Sequence, residues 1–355
     1  MNSPILRSDL DDEDLPSPPP EDRVRCEWDF RLSSVLRPPE GASPAASDAL
    51  GAIDVDPSNS ILATGGMARK IRVYSLTAPT NPCSFFLCTP AKLSCLRFRP
   101  DAGGRLIAAA DYDGVVTEYD LEHRAAVSER DEHGGRRVWS VDFSPGGALG
   151  SSGADDGSAL LWDPRCPAGG GSAATIRTGG APVCCVEFDR ADAGPWVGLG
   201  CADRRAYVYD LRALGAGPVT AFAGHGGVVT YVRFAGAGRV VSSGTDGAHR
   251  LWEAPAGKEV RAFLGHQNRR SFVGLAVWRG GGLIGSGSES NEVFVYDLRW
   301  GEPVWVRRFG GGREDGFVGA VCWRGNGSDD ECELIAGGSD GVVQIFACRR
   351  ACSFS

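Results

Sequence analysis

Seven stretches of the chain repeat one alternation of apolar and polar residues. Each opens on an apolar strand, turns, runs through a strand of small residues, turns again and closes on a strand with a terminal aromatic. The seven are AIDVDPSNSILATGGMARKIRVYSL, LSCLRFRPDAGGRLIAAADYDGVVTEYDL, VWSVDFSPGGALGSSGADDGSALLWDP, VCCVEFDRADAGPWVGLGCADRRAYVYDL, VVTYVRFAGAGRVVSSGTDGAHRLWEA, FVGLAVWRGGGLIGSGSESNEVFVYDL and FVGAVCWRGNGSDDECELIAGGSDGVVQIFAC. Short apolar runs bounded by Gly, Asp, Asn and Pro predict strands and tight turns. The closing aromatics are Tyr74, Tyr119, Trp162, Tyr209, Trp252, Tyr296 and Phe346, separated by 45, 43, 47, 43, 44 and 50 residues.

A period of roughly 40–45 residues with four strands per repeat is the signature of WD40 propeller blades. The expected fold is therefore all-β, a seven-bladed WD40 β-propeller. An aspartate stands six residues before the aromatic in five repeats, as Asp113, Asp156, Asp203, Asp246 and Asp340; Ala68 and Ser290 replace it in the others. Such a carboxylate suits turn amides and a neighbouring His or Ser. His225 and His266, each after a glycine, read as structural hydrogen-bonding groups rather than ligands or bases. Only nine residues follow Phe346, so the last blade lacks an outer strand. The alternating run RCEWDFRLSSVL at 25–36 is expected to supply it and close the ring, because an open ring would expose two sheet edges. Residues 1–24, acidic and then proline-rich, predict a disordered tail. Residues 37–46 predict a linker and 47–348 the repeats, within a propeller spanning 25–355.

Composition narrows the function classes. The 355 residues include 50 Gly, about twice the usual share, which suits many turns. The net charge of −8 argues against direct nucleic-acid binding by the chain as a whole. No apolar stretch approaches a membrane span, and MNSPILRSDLDDEDL has no apolar signal core. The 12 Cys are accordingly read in a reducing compartment, with Cys95, Cys184, Cys185, Cys201 and Cys322 as buried free thiols. No C-x-x-C pair points to zinc or redox chemistry.

Catalysis is poorly supplied. The 5 His form no metal-binding spacing, and no G-x-S-x-G elbow occurs. GLGCAD (198–203) and GSGSES (285–290) lack the third glycine of a dinucleotide loop and lie inside β-repeats. An enzyme, a metal and a cofactor are therefore not expected. The platform alternative has three supports. Lys92, Arg136, Arg137, Arg204, Arg205, Arg269 and Arg270 sit at blade entrances or turns, near Tyr112, Trp139 and Phe272. Taken singly, each is a solvated charge or a packing aromatic. As a set they predict a basic rim around an aromatic cleft, fit for an acidic peptide with an apolar anchor. The second support is Trp162-Asp163-Pro164-Arg165, echoed at Tyr209-Asp210-Leu211-Arg212 and Tyr296-Asp297-Leu298-Arg299. It places an arginine fork at the opposite rim; the alternative is that Arg165 caps its own blade. The third is the acidic tail, read either as a solubilising segment or as one that binds a basic partner.

The strings KLSCLRF, DYDGVVTEYDL, VWSVDFS, YVYDLR, FVGLAV and GSESNEVFVYD go beyond WD40 in general. They resemble the propeller of the plant constitutive-photomorphogenic ubiquitin ligase and its phytochrome-suppressor partners. A free-standing propeller of this kind behind an EWDF segment is similar to the Repressor of UV-B Photomorphogenesis (RUP) family. The resemblance implies a top face that binds Val-Pro motifs in acidic sequence, with Tyr112, Trp139 and Phe272 in the cleft and Lys92 and Arg137 on the ligand's carboxylates. Arg204 and Arg269 stand where the ligase relatives carry other residues, so the charge map is rearranged. The resemblance further implies binding of the UV-B photoreceptor's C-terminal tail, which promotes return of the active monomer to the inactive homodimer. The aromatic-Asp-x-Arg end resembles the box by which substrate receptors (here Trp162, Asp163 and Arg165) dock on the damaged-DNA-binding adaptor of cullin ligases, with a bZIP light-signalling factor as target. The nucleus and cytoplasm are the expected compartments.

Overall fold

The computed structural model describes residues 27–38, 47–77, 83–166, 171–190, 192, 194–310 and 316–351, and the expected tail at 1–24 lies outside them. Each apolar repeat folds into one antiparallel four-stranded sheet. After an N-terminal strand β1 (Trp28–Leu36), blade 1 comprises β2 (Leu50–Val55), β3 (Ile61–Gly66), β4 (Lys70–Ser75) and β5 (Cys83–Cys88). Blade 2 follows with β6 (Leu93–Phe98), β7 (Leu106–Asp111), β8 (Val116–Asp120) and β9 (Ala125–Arg130). Blade 3 holds β10 (Val138–Phe143), β11 (Gly150–Ala154), β12 (Ser158–Trp162) and β13 (Ala174–Arg177). Blade 4 is β14 (Val183–Phe188), β15 (Trp196–Cys201), β16 (Arg205–Asp210) and β17 (Thr220–Ala223). In blade 5 the strands are β18 (Val229–Gly236), β19 (Arg239–Gly244), β20 (Ala248–Glu253) and β21 (Lys258–Phe263). Blade 6 has β22 (Leu275–Trp278), β23 (Leu283–Ser286), β24 (Glu292–Asp297) and β25 (Pro303–Arg308). Blade 7 has β26 (Val318–Ser328), β27 (Glu331–Gly338) and β28 (Val343–Arg350), and its fourth strand is β1.

The ring thus closes through pairing of the first strand with the last. β1 runs antiparallel to β28 with Trp28 opposite Arg350 and Leu36 opposite Val343. Trp28 and Leu36 are buried in two different inter-blade clusters, so β1 anchors blade 7 to both neighbours. Glu27 reinforces it by pairing with Arg299 of blade 6 and Arg350, and the Arg299 guanidinium lowers the Glu27 pKa.

The hydrophobic core is distributed rather than central. Each of the seven seams between adjacent blades holds its own apolar cluster. A single sheet has two faces to cover, and a neighbouring blade covers each. Small residues make this close approach possible. A Cβ on Gly153 of blade 3 would lie 2.6 Å from the Val183 side chain of blade 4.

Charges occupy the inner strands instead. Asp54, Arg97, Asp142, Glu187 and Arg233 stand at equivalent positions of β2, β6, β10, β14 and β18 and line up around the axis. Arg97 pairs with Asp54 and Asp142, each at 3.3 Å, and Arg233 with Glu187 at 2.8 Å. Each carboxylate also accepts the backbone N–H of the next blade: Asp54 from Phe98, Asp142 from Phe188 and Glu187 from Phe234. Buried charge is tolerated because every acid has both a cation and an amide.

The turn aspartates hold as expected in most blades. In blade 5 the His225 Nδ1–H donates to Asp246 (3.0 Å), its Nε2 accepts from the Ser242 hydroxyl (2.7 Å), and the Trp252 indole N–H donates to Ser242 (2.7 Å). Blade 3 repeats the first two links through His133, Asp156 and Ser152, and the sequence reading gave His133 no such role. In blade 2 the turn amides of Asp113 and Val115 donate to Asp111, not Asp113. His266 is a structural hydrogen-bonding group, paired with the Tyr296 hydroxyl at 3.0 Å. Among the thiols, Cys184, Cys185, Cys201 and Cys322 are buried, whereas Cys95 is only partly so.

Candidate functional site: an aromatic cleft over the channel mouth

The first strand of every blade starts at the same face, called here the top, and the turns between second and third strands return to it. Trp139 is the second residue of β10, and Tyr112 follows the last residue of β7. Phe272 precedes β22 in the loop that enters blade 6. Ring closure brings the three together. The Trp139 and Phe272 rings lie parallel, 4.6 Å apart at 12°. Tyr112 tilts against Trp139 at 5.9 Å. Tyr231 meets Phe272 edge-on at 5.8 Å.

Arg137 is a wall of this cluster. Its guanidinium lies 4.4 Å from the Tyr112 ring and 4.8 Å from the Trp139 ring, on their faces. Cation–π attraction at both faces holds it there. Beside the cluster is a cleft of ≈ 240 Å³, floored by Leu50, Met67 and Leu93 and walled by Tyr112, Trp139, Phe272, Phe317 and Arg270. Below it the channel narrows to a void of ≈ 50 Å³ lined by Ser140, Cys184, Tyr231, Arg97 and Arg233. The rings of Trp139 and Phe272 are in contact and leave no slot between them.

Two carboxylates hold this arrangement in place. The Trp139 indole N–H donates to Asp155 Oδ1 at 2.5 Å. Glu289 Oε1 accepts the backbone N–H groups of Arg270 (2.8 Å) and Ser271 (2.7 Å), just before Phe272. Partial burial opposes ionisation of Glu289, but the amides of Arg270, Ser271 and Arg269 outweigh it and lower the pKa. Neither acid was singled out from the sequence, nor were Phe317 and Tyr231. Only the acidic character of the turns, ADD and SES, hints at Asp155 and Glu289.

The remaining top-face cations are placed differently from one another. Arg270 lines the cleft. Lys92, Arg136, Arg204 and Arg269 are exposed on top-face loops. Among the described residues none of these five makes an ion pair. The cleft is thus an apolar pocket under a set of uncommitted positive charges.

The opposite face carries the aromatic-Asp-x-Arg ends. Trp162 is buried in the seam between blades 2 and 3, under the Arg130 guanidinium. Arg165 closes its fork on Asp163, with Nε–Oδ1 2.9 Å and Nη2–Oδ2 2.6 Å. The Arg165 guanidinium lowers the Asp163 pKa to about 2. Arg212 with Asp210 and Arg299 with Asp297 repeat this geometry. The fork is therefore occupied from within its own blade, as in the capping alternative. What Arg165 and Arg212 present outward is the unbonded edge of a guanidinium whose side chain is 70% exposed in both cases.

Seven four-stranded blades with these turns define a WD40 β-propeller protein, and the WD domain, G-beta repeat family model matches residues 126–163 and 216–253. Curated relatives extend the likeness to the whole ring. The chain is 51% identical over 332 residues to WD repeat-containing protein RUP2 of Arabidopsis thaliana, covering 86% of this chain and 89% of that one. It is 49% identical over 348 residues to WD repeat-containing protein RUP1 of the same plant, covering 93% and 88%. The chain belongs to the RUP family of WD repeat-containing proteins. It is also 34% identical over 316 residues to E3 ubiquitin-protein ligase COP1 of Pisum sativum, covering 85% of this chain but 45% of that longer protein.

Proposed function

We propose that this protein is a non-catalytic interaction module whose top-face cleft binds a Val-Pro-containing acidic peptide, the C-terminal tail of a UV-B photoreceptor. The observation that carries the reading is the Trp139–Phe272 stack beside an apolar pocket of two-residue size, under unpaired cations. Aromatic walls suit a proline ring, whose fixed backbone angle lowers the cost of ordering the peptide. Cations at the rim steer and orient acidic flanks. Lys92, Arg204, Arg269 and Arg270 are the groups free to meet carboxylates, while Arg137 supports the rings. Binding a receptor tail would promote return to the inactive homodimer only if the bound arrangement is more dimer-competent than the free monomer. Calorimetric titration with an acidic Val-Pro peptide from such a tail tests the cleft. Wild type should bind, and Trp139→Ala/Phe272→Ala should not, at unchanged melting temperature. No binding by folded wild type removes the reading.

A second reading, favoured by the exposed outer guanidinium edges of Arg165 and Arg212 on the opposite face, is a substrate receptor for a cullin ligase acting on bZIP light-signalling factors. The damaged-DNA-binding adaptor would dock at Trp162, Asp163 and Arg165. Loss of adaptor binding in Arg165→Ala, with the peptide site intact, supports it; unaffected binding counts against Arg165.

A further inference from the structure

We propose that residues 11–16 of this chain, Asp-Asp-Glu-Asp-Leu-Pro, occupy the top-face cleft of the same molecule and compete with outside peptides. The proposal rests on the peptide-binding reading of that cleft.

The pocket's chemistry selects the segment. Its floor and walls call for an aliphatic side chain next to a proline, and its rim calls for carboxylates. The chain has 21 prolines, and Pro16 alone follows a Leu, Ile, Val or Met. Asp11, Asp12, Glu13 and Asp14 stand directly before that Leu15-Pro16 step. The one aliphatic-proline step of the sequence is thus also the one behind an unbroken acidic run. Lys92, Arg269 and Arg270 are exposed and without ion pairs among the described residues, so a chain segment of charge −4 meets uncommitted cations.

The geometry allows the contact within one molecule. Register fixes where the tail enters. Leu36 of β1 lies level with Val343, Val343 with Gly337, and Gly338 with Val318, next to the cleft residue Phe317. Trp28 is at the other end of β1, about 26 Å away along the strand. Three inter-strand spacings of about 4.8 Å separate β1 from β26. The straight line from Trp28 to the cleft crosses the blade's own strands, so the tail must follow the outer edge and then the top, a path of roughly 40 Å that twelve extended residues just cover. Twelve extended residues from Pro16 to Trp28 span up to about 40 Å. Pro18, Pro19 and Pro20 fall in that span and favour an extended path.

The test uses the full chain and its full-length Leu15→Ala/Pro16→Ala variant, each titrated calorimetrically with the acidic Val-Pro peptide. Tethering at effective concentrations near the millimolar range should make the variant bind about ten-fold more tightly than wild type. Adding Trp139→Ala should remove binding by the variant. A synthetic peptide of residues 9–18 should bind the variant and fail to bind once Trp139→Ala is added. Equal affinity of wild type and variant for the Val-Pro peptide overturns the internal competitor and leaves the cleft reading standing. So does failure of the 9–18 peptide where the Val-Pro peptide binds. Absence of all binding overturns both.

Discussion

Trp139 of blade 3 and Phe272 of blade 6 stack face to face across the mouth of the channel, 4.6 Å apart. Blades 3 and 6 do not adjoin, so the contact exists only once the ring has closed. Asp155 holds one partner by its indole N–H, and Glu289 holds the loop that presents the other. The cleft is therefore pre-organised from both sides.

The stack is separable from the fold. Trp139 and Phe272 are only partly buried and belong to none of the seven seam clusters. Trp139→Ala is expected to weaken binding of the acidic Val-Pro peptide by about 2 kcal/mol or more, roughly thirty-fold. Calorimetry beside a thermal melt checks this, and a large drop in melting temperature would contradict the assignment.

Glu289 is a positioning residue. Glu289→Ala leaves the amides of Arg270 and Ser271 without their acceptor, and should weaken peptide binding several-fold. Glu289→Gln keeps an acceptor oxygen and should recover most of that loss. Because its folded pKa is lowered, the carboxylate's contribution is present above the unfolded value near 4.5 and fades as pH falls through the folded one. Equal binding by both variants would mean that the loop is held by something else.

Acid should loosen the seam between blades 5 and 6. His249 and His266 stack at 3.8 Å, with Tyr296 against both. Burial lowers the His266 pKa to about 4, and burial with neighbouring imidazoles lowers that of His249 well below its ordinary value. The unfolded chain then binds more protons between about pH 6.5 and 4, so stability is intact above that window and falls on acidification. Melting temperature against pH should slope less steeply in His249→Leu than in wild type; parallel slopes would contradict the assignment.

Trp162 tests the seams. It is 2% exposed between blades 2 and 3, and Trp162→Ala should cost about 3–5 kcal/mol. Denaturant unfolding measures it, and a change below 1 kcal/mol would show that the cavity is readily filled.

Deleting 25–36 removes β1, with Trp28 and Leu36, from two seams and opens the ring. Deleting 1–24 removes only residues outside the described strands. The first truncation should melt far lower than the second, and equal melting points would mean that the last three strands hold blade 7 unaided.

Much of this architecture was readable from local order. The aromatic-terminated repeats announced seven blades, and the alternating run at 25–36 announced a further strand, which is β1 on β28. Tyr112, Trp139, Phe272 and Arg137 stood out as aromatic and cationic residues at blade entrances or turns, and the structure brings these four together. Other features escaped because their meaning is non-local. Nothing in ADD or SES says that one acid will meet an indole and the other a neighbouring loop. Arg137 reads as a free cation until two rings close on it. Arg165 reads equally as an outward fork or a cap on its own blade until its pairing with Asp163 decides between them. The belt of Arg97, Asp142, Glu187 and Arg233 is scattered over four repeats in the chain.

Strands, turns, blade number and the order of closure were legible along the chain, because they follow from periodicity and turn chemistry within each 43–50-residue repeat. Tertiary structure alone decided which side chains share the channel mouth, which charges pair across blades and which remain free. Those contacts form between residues far apart in the chain, and their energies depend on burial and geometry that appear only when the ring shuts.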